Sequence, residues 1–300
     1  MAVDFNADLL TPLVSGAIQG SVYGLLGLGL VLLYKGNRIF NFAQGEFGTV
    51  AALLTYAFAV GNGVPKMPYG VAVLIGLLGG TLMGLLAERL VIRPLFRQPK
   101  VTIVVATAGV ALLAVSIELL FTGANPLTAR PAVSGDLLKS GALRITYQQV
   151  LIVGVLAILA AASALFFRKS RMGVAILAVS QEPTATSLVG ISVNGISALT
   201  WGMAGFLGAV AGILLAPTTL FGPGFMTSVA LIPAFTAAVF GGITSLPGAF
   251  LGGITIGIVE QFGSKWIPSS FVPGGQRIFV FVTLLIVLLV KPAGLLGKEA

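Results

Sequence analysis

Residues 9–34 read LLTPLVSGAIQGSVYGLLGLGLVLLY and contain no charged side chain. As straight α-helix, at 1.5 Å per residue, this run would be ~39 Å long, more than the ~30 Å of bilayer hydrocarbon, so it must tilt or protrude. After Lys35 and Gly36 comes NRIFNFAQGEFGTV, residues 37–50, which packs Asn41, Gln44 and Glu46 together before apolar sequence resumes. The rest of the chain has the same character: 57% hydrophobic, 9% charged, mean hydropathy +1.05. A soluble domain carries about 25% charged residues because water must wet its surface. This chain cannot cover itself that way, so lipid is its outer solvent. The fold class is all-α: a polytopic transmembrane helical bundle, forming one transmembrane domain over 1–300.

Further apolar runs lie near 39–60, 70–92, 101–121, 149–167, 196–221, 229–242, 246–263 and 277–291. The run 229–242 would reach only ~21 Å as helix, and GGITSLPG at 241–248 cannot be ordinary helix interior. Residues 229–263 are therefore expected to form a hairpin or a broken helix, with the break at Gly241, Gly242 and Pro247. That leaves about 8–9 spans, some broken or re-entrant. With nine crossings and the N-terminus outside, eleven Lys and Arg residues fall inside and six outside. The basic clusters ERLVIRPLFRQPK and FRKSR both fall inside, so the positive-inside bias predicts N-terminus out and C-terminus in.

Several chemistries are excluded. The chain has no Cys and no His, hence no disulfide, no thiolate and no imidazole ligand or base. It has no phosphate-binding loop of the Gly-x-x-x-x-Gly-Lys-Ser/Thr type, and no cluster of nucleophile, base and metal ligands; an enzyme, a cofactor and a metal site are not expected. The net charge of +8 sits in short inter-helix loops rather than on one face, which suits lipid headgroups, not nucleic acid. The N-terminal MAVDFNADLL has no basic residue, so the first run is expected to remain as a span.

Two loops stand out. The outer one, 122–148, could be a lid or a docking surface. The inner one, 168–195, includes AVSQEPTATSLVGISV. There Ser180 is expected to cap a short helix, with Glu182 near its N-terminus, Ala185 and Leu188 on one face, and Gly190 as the C-terminal stop. That helix either floats among headgroups or seeks a protein partner.

Glycines and alanines recur every four residues at 16, 20 and 24, at 80 and 84, at 204, 208 and 212, and at 253 and 257. That spacing lets helix backbones approach closely in lipid. GGTLMGLLAE (79–88) and GGITIGIVE (252–260) resemble each other, a faint internal repeat of the kind found in transporters.

A charge at mid-bilayer costs ~2.5 kcal/mol or more, so it should face a cavity or a partner. Glu118 and Glu260, near the ends of their runs, are expected to reach the interface, and Glu88 to pair with nearby arginine. Glu46, flanked by Gly45 and Gly48, is the acid placed to act. Either Glu46 and Gln44 tie helices together, or an opened helix lets them meet polar cargo.

FNFAQGEFGTVAALLTY, ERLVIRPLFR, AVSQEPTATSLVGISV, IPAFTAAVFGGITSLPGAFLGGITIGIVE and LLIVLLVKPAGLLG together resemble a family. They are similar to the multi-pass inner-membrane permeases of bacterial ATP-binding-cassette (ABC) importers for branched-chain amino acids (LivH-type). Related urea and amide permeases look nearly the same. The resemblance covers most of 10–297. It implies a second homologous permease subunit, commonly in a heterodimer, two cytosolic ATPases that bind the ATP, and an extracytoplasmic substrate-binding protein. It makes 168–195 the coupling loop, with Glu182, Ala185, Leu188 and Gly190 docking into an ATPase; Pro183 departs from the wider importer pattern. It places Asn41, Gln44, Gly45 and Glu46 on the substrate pathway. The rival expectation is a self-sufficient secondary transporter or channel.

Overall fold

The computed structural model describes residues 9–140, 143–266, 274–291 and 294–297. The acidic start of the chain (Asp4 and Asp8), Lys298, and Pro292 and Ala293 within the KPAGLLG segment lie outside them.

In lipid each backbone amide must be satisfied within its own segment, so apolar sequence is forced into helix. The helices are α1 (Thr11–Asn37), α2 (Gln44–Val60), α3 (Tyr69–Leu86), α4 (Lys100–Thr122), α5 (Tyr147–Lys169), α6 (Arg171–Gln181), α7 (Pro183–Leu188), α8 (Val193–Leu215), α9 (Ile232–Gly241), α10 (Leu246–Trp266) and α11 (Gln276–Val290). A π turn at Ala87–Ile92 and a 3₁₀ turn at Arg93–Leu95 prolong α3, and a π turn at Thr227–Leu231 leads into α9. Among the described residues, five helices are long and apolar enough to cross a membrane, Thr11–Asn37, Tyr69–Leu95, Lys100–Thr122, Tyr147–Lys169 and Val193–Thr218, with shorter apolar helices at Thr227–Gly241 and Gln276–Val290. α2, expected as a span from 39, begins only at Gln44 and reaches ~26 Å.

The chain gathers into two compact units, and the division falls inside α1 and α5. One comprises Leu28–Arg130 with Ala162–Leu231. In it α2, α3 and α8 meet through small residues. A methyl group added at Gly84 would lie 2.6 Å from the Trp201 carbonyl oxygen, and one at Gly205 2.7 Å from that of Gly80. One at Gly48 would lie 2.7 Å from the Gly208 carbonyl oxygen. These helices touch backbone to backbone, where dispersion rather than hydrophobicity drives association. Buried Phe47 and Trp201 fill the space beside the glycines, edge to face at 6.4 Å. Of the apolar stretch of α8, 72% is buried, against 28% for α3 and for α4. The exposed side of α3 carries Leu74, Leu78, Leu82 and Leu86, one turn apart, as a lipid-facing stripe.

The other unit comprises Met1–Gly27, Pro131–Ala161 and Ile232–Ala300. There Gly16 and Gly20 of α1 meet α10, a methyl on Gly16 falling 2.6 Å from the Ile258 Cα. Gly253 and Gly257 return the contact onto Gly20. The similar stretches 79–88 and 252–260 thus lie one in each unit, each presenting its glycines to a neighbouring helix. Gly241 ends α9, Gly242 turns back with φ +100°, and Pro247 sits in the first turn of α10, where a missing N–H costs nothing. The carbonyls left open at the end of α9 accept from the chain's end: Leu295 N donates to Phe240 O (2.8 Å) and Leu296 N to Gly241 O (3.1 Å).

One element departs from the all-α expectation. Within 122–148 the strands β1 (Asp136–Ser140) and β2 (Leu143–Thr146) pair antiparallel, in a polar segment free to use inter-strand bonds because water can satisfy its edges. Asp136 holds Arg144 at 2.7 Å and Lys139 at 2.8 Å. Arg144 first, then Lys139, lowers its carboxyl to about 2, so this ion cluster stays charged at any ordinary pH.

Candidate functional site

α1 stops at Asn37, and residues 38–43 are not helical. Arg38 adopts φ +54°, and the chain turns through Asn41–Ala43 before α2 starts at Gln44. The amides hold this break together. Asn41 Oδ1 accepts from Ala43 N (3.0 Å), and Asn41 Nδ2 donates to Gln44 Oε1 (3.4 Å). Gln44 Nε2 donates to Ala204 O on α8 (2.9 Å), and Phe42 N donates to Thr107 Oγ1 on α4 (3.1 Å). Gly45 lies directly against Thr227, with no room for a side chain. Asn41, Gln44 and Gly45 are therefore engaged in shaping the break and tying it to its neighbours.

Glu46 is different. It is fully buried in the first turn of α2, where the helix's N-terminal partial charge favours a carboxylate. Neither of its oxygens has a hydrogen-bond partner. The Thr49 and Thr227 hydroxyls and the Glu118 carboxyl stand beside it without closing a hydrogen bond of proper geometry. Thr49 Oγ1 instead accepts from Met226 N (3.3 Å). Glu118 Oε2 accepts from Gly224 N (2.9 Å), while Glu118 Oε1 is unpartnered. Two buried carboxyl groups with three unpaired oxygens are left at a cost of several kcal/mol (about 1–3 kcal/mol per unmet group, more if charged), which protonation or a polar partner would relieve.

Glu118 was expected at the interface; it is instead buried at 5% exposure, beside Glu46. Its place in the last two turns of α4 suggested reach to water, but the side chain turns inward to the Gly224 amide while Leu120 and Phe121 beside it stay exposed. The cost of any acid within a span was the signal that could have paired it with Glu46. Glu260, also expected at the interface, is buried and accepts from the Tyr23 hydroxyl (2.5 Å). Glu88 pairs with Arg93 at 2.8 Å.

In 168–195, Ser170 caps α6 by accepting from Gly173 N (2.8 Å), and Ser192 caps α8 by accepting from Gly195 N (3.2 Å). Ser180 caps nothing: it lies in the last turn of α6 and donates to Leu177 O. Glu182, at φ −139°, interrupts the helix, and α7 begins at Pro183, which needs no N–H partner there. Thr186 is the buried residue of α7, its hydroxyl donating to Glu182 O (2.7 Å). Ala185, Leu188 and Val189 are exposed, Leu188 at 83% and Val189 at 76%. Gly190 follows with φ +86°, a conformation that favours glycine.

Apolar helices packed on glycine, with buried acids beside a helix break, belong to a multi-pass membrane protein. The chain belongs to the family of branched-chain amino acid transport system permease components, whose model matches residues 13–290. It is 30% identical over 299 residues to the high-affinity branched-chain amino acid transport system permease protein BraD of Pseudomonas aeruginosa, covering 96% of each chain. To LivH of Escherichia coli K12 it is 28% identical over 298 residues, again 96% of each. To the probable LivH of Methanocaldococcus jannaschii it is 27% identical, covering 96% of this chain and 92% of that one.

Proposed function

We propose that this chain lines the translocation pathway of an ABC importer for branched-chain and other hydrophobic amino acids in a bacterial inner membrane. It works beside a second permease subunit, with two ATPases supplying energy and an extracytoplasmic protein delivering cargo. The N-terminus lies outside, the C-terminus inside, and the chain alters no bond of its cargo. The observation that supports a separate motor is α7. An exposed Leu188–Val189 tip on a two-turn helix, held between α6 and the long α8, suits rigid-body transmission of a partner's closure. Co-purification from native membranes tests the reading. Two ATPases and a sister permease are the expected companions; full transport by this chain alone in liposomes would sink it.

At the pathway, Glu46 carries the polar chemistry, set in place by Asn41, Gln44 and Gly45. Glu46→Gln should cut the transport rate about tenfold or more in the reconstituted complex while the protein purifies folded. Unchanged transport would assign the residue to packing. The break at Gly241, Gly242 and Pro247 is placed to flex with α9 and α10. A related reading, a urea or short-amide permease, is separated by competition: leucine and valine, not urea, should block uptake.

A further inference from the structure

Where α1 ends, two adjoining cavities of about 700 and 440 Å³ open between the start of α4 and the end of α6. Both are lined by Arg38, Lys100, Ser180 and Gln181; Tyr34 and Phe40 wall the larger. No Asp or Glu lines either one, and no carboxylate among the described residues forms a salt bridge with Arg38 or Lys100. Two helices, α1 and α6, end at this cleft and two, α4 and α7, begin there, so their terminal partial charges of about −0.5 and +0.5 offset. The two full positive charges set its sign.

Arg38 is held in place at a conformational cost. It follows the last residue of α1, donates its N–H to Tyr34 O (2.9 Å), and is the one non-glycine residue at positive φ among those described. Glycine is the usual occupant of such a helix-ending position. Its guanidinium lies over the Tyr34 ring at 5.8 Å, and Tyr34 in turn stacks on Phe40 at 5.0 Å. The aromatic pair thus fixes a strained arginine at the cleft rather than letting it sweep through water.

We propose that this cleft binds a phosphate-bearing anion, either the headgroup of an anionic phospholipid or a soluble phosphate compound. Arg38 and Lys100 supply the charge, and the Gln181 side-chain amide supplies a neutral N–H, the Ser180 hydroxyl being spent on Leu177 O. Because Ser180 and Gln181 end α6 immediately before α7, an occupant would brace the root of the short helix against α1 and α4.

The test is native mass spectrometry of the purified full-length protein offered short-chain phosphatidylglycerol, short-chain phosphatidylcholine and inorganic phosphate. Wild type should retain phosphatidylglycerol or phosphate at least tenfold over phosphatidylcholine; whichever is held names the source. Arg38→Gly relieves the backbone, so its unfolding temperature should match or exceed wild type while anion occupancy falls at least tenfold. Lys100→Gln, at an exposed position, should lose occupancy likewise and decides the matter if Arg38→Gly does not fold. Lys169→Gln removes the same charge away from the cleft and should change nothing. Equal retention of phosphatidylcholine without phosphate, undiminished binding in the cleft variants, or an equal loss in Lys169→Gln would overturn the proposal.

Discussion

Leu188→Asp should leave the chain folded and abolish ATP-driven transport. The side chain is 83% exposed, so within the subunit its replacement changes stability by no more than about 0.5 kcal/mol. If the α7 tip enters a partner's cleft, burying the leucine contributes about 1.5–3 kcal/mol, and an unpaired carboxylate in its place adds a desolvation cost of the same sign. A loss of about 3 kcal/mol is roughly two powers of ten in ATPase affinity. The measurement is ATPase retained on the purified permease, alongside uptake in proteoliposomes. Retained ATPase and normal uptake would mean that α7 lies among headgroups and grips no motor.

Gly205→Leu should have the largest effect on stability. Helix propensity alone argues the other way, since glycine in a helix interior is about 0.5–1 kcal/mol worse than alanine. The geometry decides against it: a Cβ at 205 would lie 2.7 Å from the Gly80 carbonyl oxygen, with the Thr81 Cα at 3.2 Å. Both are backbone, so α3 and α8 must separate, and overpacking of this kind costs about 1–3 kcal/mol or more. Gly109→Leu is the control, because nothing lies within 4 Å of a Cβ there. The expected result is a marked fall in the unfolding temperature for Gly205→Leu and none for Gly109→Leu. Equal behaviour would mean that α3 and α8 do not touch through their backbones.

The two effects reflect a division of labour. Glycine seams bring the helices close enough for backbones to touch, while the segments that break helix, at 38–43, Glu182 and 242–245, carry the unusual chemistry. The Glu46–Glu118 pair sits beside the first of these breaks and the Arg38–Lys100 cleft opens at it, so a substitution within 38–46 is expected to alter transport more than one in the lipid-facing stripe of α3.

The membrane class and the mostly helical content follow from local composition: a chain with 9% charged residues must face lipid, and lipid forces helix. The glycine spacing was legible as well, and so was a nearby arginine, Arg89 or Arg93, as the partner of Glu88, since contacts about one turn apart are set by helix geometry; the structure selects Arg93. The fates of Glu118 and Glu260 rested on contacts distant in the chain. Each was placed near an interface by its distance from a run's end, yet Glu118 meets Gly224 and Glu46, and Glu260 meets Tyr23. The same holds for Gln44, whose amide ends on Ala204, and for the cleft assembled from α1, α4 and α6. Burial of a polar group depends on residues far away in the chain, and periodicity along one helix carries no information about which distant backbone will cover its end.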